Sequence, residues 1–229
     1  MFAVIFEVAP KKERWNDYLE LAKYLAPKLA AVEGFVDNER FASKRREGRI
    51  LSLSTWRDEK SVVRWRTQGE HHGAQEKGRL EIFEDYHLRV GEVTADTDPP
   101  RGLLIEQNRL DETEVGRAKM VTITEITPVE GSTFGARPDL LPAQLGLATG
   151  AAGLVGYELF ESIYSPGKLL LLASWRDADA AGAWAPSRPA AAASLRHRRV
   201  RIVRDYGMFE RREAPQFYPQ VTRSTPKPA

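Results

Sequence analysis

Apolar and polar residues alternate from Phe2 to Val8, a run rich in β-formers, and this pattern predicts a strand. The period then changes. From Lys11 to Ala31, residues Trp15, Tyr18, Leu19, Ala22, Leu25 and Leu29 recur at steps of three and four, one face of a long helix that Glu33-Gly34 ends. Phe35 to Ser43 and Ile50 to Trp56 read as a hairpin around the polar turn Arg45-Arg46-Glu47-Gly48. Asp58 is placed to cap a second helix with Val62 and Trp65 on its buried side, and Leu80 to Val93 is a long last strand. The same order then returns: a strand over Lys119–Thr127, a helix near Asp139–Thr149, a hairpin from Leu154 to Trp175, a helix from Ala178 and a strand over Val200–Arg211.

The recurrence extends to residue identity. Gly34, Val36, Glu39, Phe41 and Ser43 meet Gly153, Val155, Glu158, Phe160 and Ser162 at a constant spacing of 119 residues. Ser54-Thr55-Trp56-Arg57-Asp58 meets Ala173-Ser174-Trp175-Arg176-Asp177, and Trp65 meets Trp184, at the same spacing. Asp85-Tyr86 meets Asp205-Tyr206 at a spacing of 120, and Glu7 and Pro10 meet Glu125 and Pro128 at 118. Self-similarity of this kind predicts two copies of one unit. The first spans residues 1–93 and the second 118–212, joined by a linker over 94–117 that holds Asp98-Pro99-Pro100. A Pro-rich tail over 213–229 is expected to embrace the other copy or to be disordered.

The order β-α-β-β-α-β is the ferredoxin-like unit, a four-stranded antiparallel sheet with both helices on one face. Leu169–Leu172 is apolar on both sides, so the second face needs cover as well. Packing the two sheets face to face predicts an α+β fold, a dimeric α+β barrel made within one chain, with a cavity between each sheet and its own helices.

Composition narrows the function classes. Lys plus Arg number 34 against 32 Asp plus Glu, a net charge of +2 that argues against nucleic acid as a partner. The densest basic run, Arg196 to Arg201, reads as a solvated helix end beside a strand. There is no cysteine, which excludes disulfides and thiolate chemistry, and the four histidines lack the spacing of a metal site. No apolar run is long enough to span a bilayer, so a cytoplasmic protein with no membrane partner is expected. No Gly-rich nucleotide fingerprint is present, so a tightly bound nicotinamide or flavin is not expected.

Glu33-Gly34-Phe35, Ser54-Thr55-Trp56-Arg57-Asp58, Trp65, His71-His72, Gly78-Arg79 and Phe83-Glu84-Asp85-Tyr86 together resemble the antibiotic-biosynthesis monooxygenase superfamily. The resemblance covers nearly all of residues 1–93 and, more loosely, 118–212. It implies an oxidoreductase, a cofactor-independent monooxygenase of a small aromatic phenol, hydroquinone or polyketide-like molecule. Two alternatives stay open: a haem-binding or haem-degrading oxygenase, and a non-catalytic ligand-binding barrel. The haem alternative expects an asparagine on the first strand, where Val4-Ile5-Phe6-Glu7-Val8 has none, and a histidine later than His71 and His72 fall.

Six residues are the candidates for chemistry. His72, ahead of His71, is the candidate base, because the second copy has Ala190 and Ala191 there; two exposed histidines ending a helix are the alternative. Asn38 is a candidate donor to a substrate carbonyl, or else a solvent-facing strand residue. Trp65 is a stacking wall or a core anchor. Tyr86 is a substrate donor or a structural hydrogen bond that Tyr206 repeats. Arg40 is an anion clamp or one half of a cross-strand pair with Glu39. A further homodimer is compatible with all of this.

Overall fold

The computed structural model describes residues 1–132, 134 and 136–222. Its first half runs β1 (Phe2–Pro10), α1 (Trp15–Ala30), β2 (Phe35–Ser43), β3 (Ile50–Trp56), α2 (Glu59–Thr67), α3 (Gly69–Lys77) and β4 (Phe83–Asp96). The second half runs β5 (Met120–Pro128), α4 (Leu141–Gln144), β6 (Leu154–Ser162), β7 (Leu169–Trp175), α5 (Ala178–Gly182) and β8 (Ala192–Gly207). Among the described residues no helix is long and apolar enough to cross a membrane.

Each half is an antiparallel sheet with one pairing scheme: β1 between β3 and β4 with β2 outside β3, and β5 between β7 and β8 with β6 outside β7. The sheets join along β4–β8 and β2–β6, closing an eight-stranded barrel. Inside it Phe41 and Phe160 lie fully buried among Ile5, Leu51, Leu53, Ile123, Leu170 and Leu172. Closure leaves no free sheet edge. The barrel also buries ion pairs, Arg89 with Glu7 at 2.6 Å and Arg198 with Glu125.

The matched residues of the two halves do matching work. Gly34 and Gly153 both hold a positive φ, +87° and +79°, and a Cβ there would strike Ser61 or Ala180 at the start of the following helix. Their carbonyls accept from Arg57 N and Arg176 N, each at 2.8 Å. Asp58 and Asp177 cap those helices by accepting from Ser61 N and Ala180 N, each at 2.8 Å. Trp56 and Trp175 are 0% and 1% exposed, with indole N–H groups satisfied by Ser54 and Thr122.

Several expectations are corrected. Ile5 pairs with Arg89 and Ile123 with Arg198, so the last strands correspond at a spacing of 109 residues, not 120. Tyr206 therefore does not repeat Tyr86. The second half lacks a counterpart of α3, and Pro186 and Pro189 end α5 after five residues. Its last strand consequently starts at Ala192, earlier than Val200, and runs past the point where its counterpart ends. The second half's first helix shrinks to Leu141–Gln144, and β4 begins at Phe83 after a π-turn over Gly78–Ile82. The run Arg196–Arg201 is not a solvated helix end. It lies in β8, where alternation carries Arg198 to its buried partner Glu125, Arg196 to Asp96, and His197 to the opposite face.

The linker crosses one end of the barrel, where Leu103 and Ile105 pack on the core and the fully buried Glu92 accepts from Asn108 N at 2.6 Å. The tail as far as Thr222 embraces the first half: Gln216 Nε2 donates to Arg66 O at 3.1 Å, and Tyr218 Oη donates to Gln75 Oε1 at 2.9 Å. Pro226 and Pro228 lie outside the described residues.

Gly91 sits on the seam between β4 and β8, where a Cβ would come within 2.5 Å of Arg201 O. Gly91→Ala is expected to lower stability by about 1–3 kcal/mol, because backbone on both sides of a closed barrel has nowhere to move. Denaturant unfolding checks this, and an unchanged midpoint would count against it.

Candidate active site

A cavity of about 190 Å³ lies between the first sheet and helices α1, α2 and α3. Its walls are mainly apolar: Leu21, Leu25 and Leu29 on α1, Val62 on α2, and Val4, Phe6 and Leu88 on the sheet. Small residues on α1 and on β3, such as Ala22, Ala26, Ser52 and Ser54, leave the space unfilled. In the second half the counterpart space is packed by Leu141, Leu145, Leu147 and Trp184 against Leu171 and Trp175. Trp184, with no long helix to hold it out, folds back and stacks on Trp175, centroids 5.9 Å apart. The expectation of a cavity under each sheet is thus met in the first half, while packed side chains take its place in the second.

His71, not His72, lines the cavity. Successive residues on a helix point about 100° apart, so only one of an adjacent pair faces inward. The His71 ring lies flat on Trp65, 4.0 Å between centroids, and its Nδ1 is 2.9 Å from Trp65 O. A carbonyl only accepts, so Nδ1 carries the proton and Nε2 keeps the lone pair. Nε2 has one neighbour at the limit of a hydrogen bond, Gln75 Nε2 at 3.5 Å. Burial lowers the His71 pKa to about 4, so the ring is neutral at neutral pH. His72 is exposed and turned to the tail, with its ring on Tyr218 and Nδ1 3.1 Å from Tyr218 Oη.

The other candidates divide. Trp65 lines the cavity and is half-buried, with one face of its indole taken by His71. Asn38 lines it too, but its amide nitrogen donates to Ser52 Oγ at 3.1 Å and Leu53 O at 3.0 Å. The donor role expected of Asn38 is therefore taken up within the sheet, and its side-chain oxygen is what a ligand would meet. Tyr86 is not among the lining residues: Arg211 and Arg79 both donate to its hydroxyl, at 2.6 and 3.2 Å, in a clamp that ties the tail down. Arg40 lines the cavity and does not pair with Glu39, which instead receives Lys168 and Ser162 from the second half.

The cavity also contains residues that the pattern of the chain does not single out. Tyr18, read as a core position of α1, lines it, and Arg66 follows Trp65. Arg204 and Tyr206 reach in from β8, and Pro215 from the tail, so the second half completes a site built mainly from the first. Burial, reinforced by Tyr86, pushes the Tyr206 phenol up to about 12. Among the described residues no group of three or more His, Cys, Asp or Glu side chains is placed to hold a metal ion.

Comparison with known proteins follows the same lines. A family profile described as antibiotic biosynthesis monooxygenase matches residues 1–77. A protein of Pyricularia oryzae named jasmonate monooxygenase ABM is 45% identical over 227 residues, 97% of this chain and all of that protein. An uncharacterised protein of Bacillus subtilis, YqjZ, is 34% identical over 92 residues, covering 40% of this chain and 78% of its own. Among solved structures, an aldoxime dehydratase in complex with butyraldoxime superposes with a TM-score of 0.56 at 11% identity, covering 88% of this chain and 79% of that one, a likeness of fold.

Proposed function

The chain belongs to the antibiotic biosynthesis monooxygenase family, and from that premise we propose that its first-half cavity is the active site of a monooxygenase acting on one small, largely apolar molecule. The observation that carries the reading is His71: a neutral imidazole with its lone pair on Nε2, set against Trp65 in a mainly apolar slot. Such a group is a weak base in the free protein, and it takes the proton of a substrate hydroxyl because the anion formed beside it stabilises the imidazolium as electron density moves to oxygen. Trp65, Phe6, Phe83 and Tyr206 supply aromatic walls suited to a flat ring.

With a small aromatic substrate the reaction needs no resident cofactor. A hydroquinone and O₂ give a hydroxyquinone and water: one oxygen atom enters the ring, and the other leaves with two substrate hydrogens. The substrate supplies every electron. The name of the fungal relative makes jasmonate the second candidate substrate. Hydroxylation of an unactivated C–H bond would consume two further electrons, so that assay includes an added reductant. A haem fits the site poorly, since the His71 ring lies flat on an indole and His72 faces the tail. We also take the two halves to be copies of one ancestral module, with the second now serving to close the barrel and finish the site.

The test is oxygen uptake by the purified full chain with hydroquinones, phenols and jasmonate, with and without reductant, and isotope-labelled O₂ to follow the atom. Incorporation of one labelled atom per turnover is expected. Saturable ligand binding with no incorporation for any of them would replace this reading with the ligand-binding barrel.

A further inference from the structure

Each edge of the cavity carries an arginine. On the first-half face the strand order is β2, β3, β1, β4, with β8 beyond β4, so β2 and β8 stand four strand spacings, or roughly 19 Å, apart. Arg204 and Tyr206 lie on the β8 side and Arg40 on β2. The Arg40 guanidinium donates from Nη1 to the Tyr164 hydroxyl of the second half, at 3.2 Å, and forms no ion pair among the described residues. Its Nε is buried without a hydrogen-bond partner. So is the hydroxyl of Tyr18, a residue only 5% exposed, on the helix that faces it. The two groups lie close enough to interact, burial raising the phenol pKa and the guanidinium drawing it back, but the contact falls short of a well-formed hydrogen bond.

An unpaired guanidinium beside an unsatisfied hydroxyl in an apolar slot is an expensive arrangement. A buried donor left without an acceptor is costly, and a charged one more so. Both can donate, and both residues line the same cavity. What completes them is an acceptor with negative charge and more than one oxygen, the geometry of a carboxylate taking Nε–H and a hydroxyl together. Among the described residues the one acid lining the cavity, Glu59, is already held by Arg109 at 2.6 Å.

We propose that Arg40 and Tyr18 form a carboxylate-binding subsite, so that the ligand of this cavity is an organic monocarboxylate. Its charged group sits at the β2 edge and its apolar body extends toward Trp65 and His71. Asn38, two residues before Arg40 and on the same face of β2, offers its side-chain oxygen to a hydroxyl of that body. This deepens the monooxygenase reading by assigning the substrate's class and its direction in the site, and its test does not depend on turnover.

Calorimetric titration with two acid–ester pairs supplies that test: gentisate with methyl gentisate, and cyclohexylacetate with its methyl ester. At least one acid is expected to bind on the order of 10- to 100-fold more tightly than its ester. Arg40→Met should bring that ratio close to one. Because Arg40→Met alters a buried charge, Tyr18→Phe is the companion variant: it removes a hydroxyl that has no partner in the free protein. It should leave the unfolding midpoint unchanged or raised while weakening the acid several-fold. Esters binding as well as acids, failure of both acids to bind, or a ratio that survives Arg40→Met but is lost in Arg66→Met would each overturn the subsite. Acid-selective binding without oxygen incorporation would sink the oxygenase reading and leave the subsite standing. Incorporation with no preference for acids would do the reverse.

Discussion

His71→Ala is expected to lower kcat/KM by about 100-fold or more, in the range that general bases supply, with the chain still folded. His71→Asn separates two roles. Asparagine can keep the donation to Trp65 O that orients the ring, at 2.9 Å, but it has no lone pair where Nε2 stands. If the asparagine variant is as slow as the alanine one, the lost group is the base. If it recovers most of the activity, His71 positions Trp65 and the proton goes elsewhere. The rate profile gives a second reading. Because burial holds His71 near a pKa of 4, its basic form persists below pH 6.5, and the acid limb of kcat/KM should fall near pH 4. A limb near 6.5 would point to an unburied imidazole.

Acid should also unfold this protein earlier than its carboxylates alone would. Burial lowers both His71 and His197 to about 4. In the unfolded chain each takes up a proton near pH 6.5, so between 6.5 and 4 the unfolded state binds more protons than the folded one. The stability conferred by keeping these rings neutral is therefore complete above 6.5 and is lost as pH falls toward 4. Each ring contributes a slope of up to about 1.4 kcal/mol per pH unit, on the order of 3 kcal/mol over the window. Set against a typical total of about 5–15 kcal/mol, two such rings are a large fraction. Denaturant unfolding at stepped pH should show a slope that falls by about half in His197→Phe. A flat stability between pH 6.5 and 4.5 would mean that water reaches both rings.

His197 also shows what local reading misses. Within the basic run of β8 it lies at the floor position that Leu88 occupies in the first half. There its Nδ1 meets Thr124 Oγ1 at 2.9 Å, and Trp184 packs edge-on at 5.2 Å. A charged neighbourhood along the chain says nothing about burial, because alternate residues of a strand go to opposite faces. The same holds for Arg198, fully buried in the barrel while the adjacent Arg199 faces the other way.

The chain's own pattern determined what depends on neighbours in sequence. Strand alternation, the three-and-four spacing of α1, the capping aspartates Asp58 and Asp177, and the left-handed Gly34 and Gly153 are set within a few residues, and their repetition announced the two-part barrel. The candidate site was legible in part: Trp65, His71, Asn38 and Arg40 line the cavity, whereas His72 and Tyr86 do not. Tertiary structure alone decided the rest. Which of two adjacent histidines faces inward depends on a rotation of about 100° in a helix whose sequence is polar on all sides. The entry of Arg204 and Tyr206 depends on the register between β4 and β8, strands more than a hundred residues apart. The isolation of Arg40 follows from Glu39 being drawn to Lys168 across the seam. Each is a contact between residues more than a hundred positions apart or a choice of face, and neither leaves a mark in local spacing.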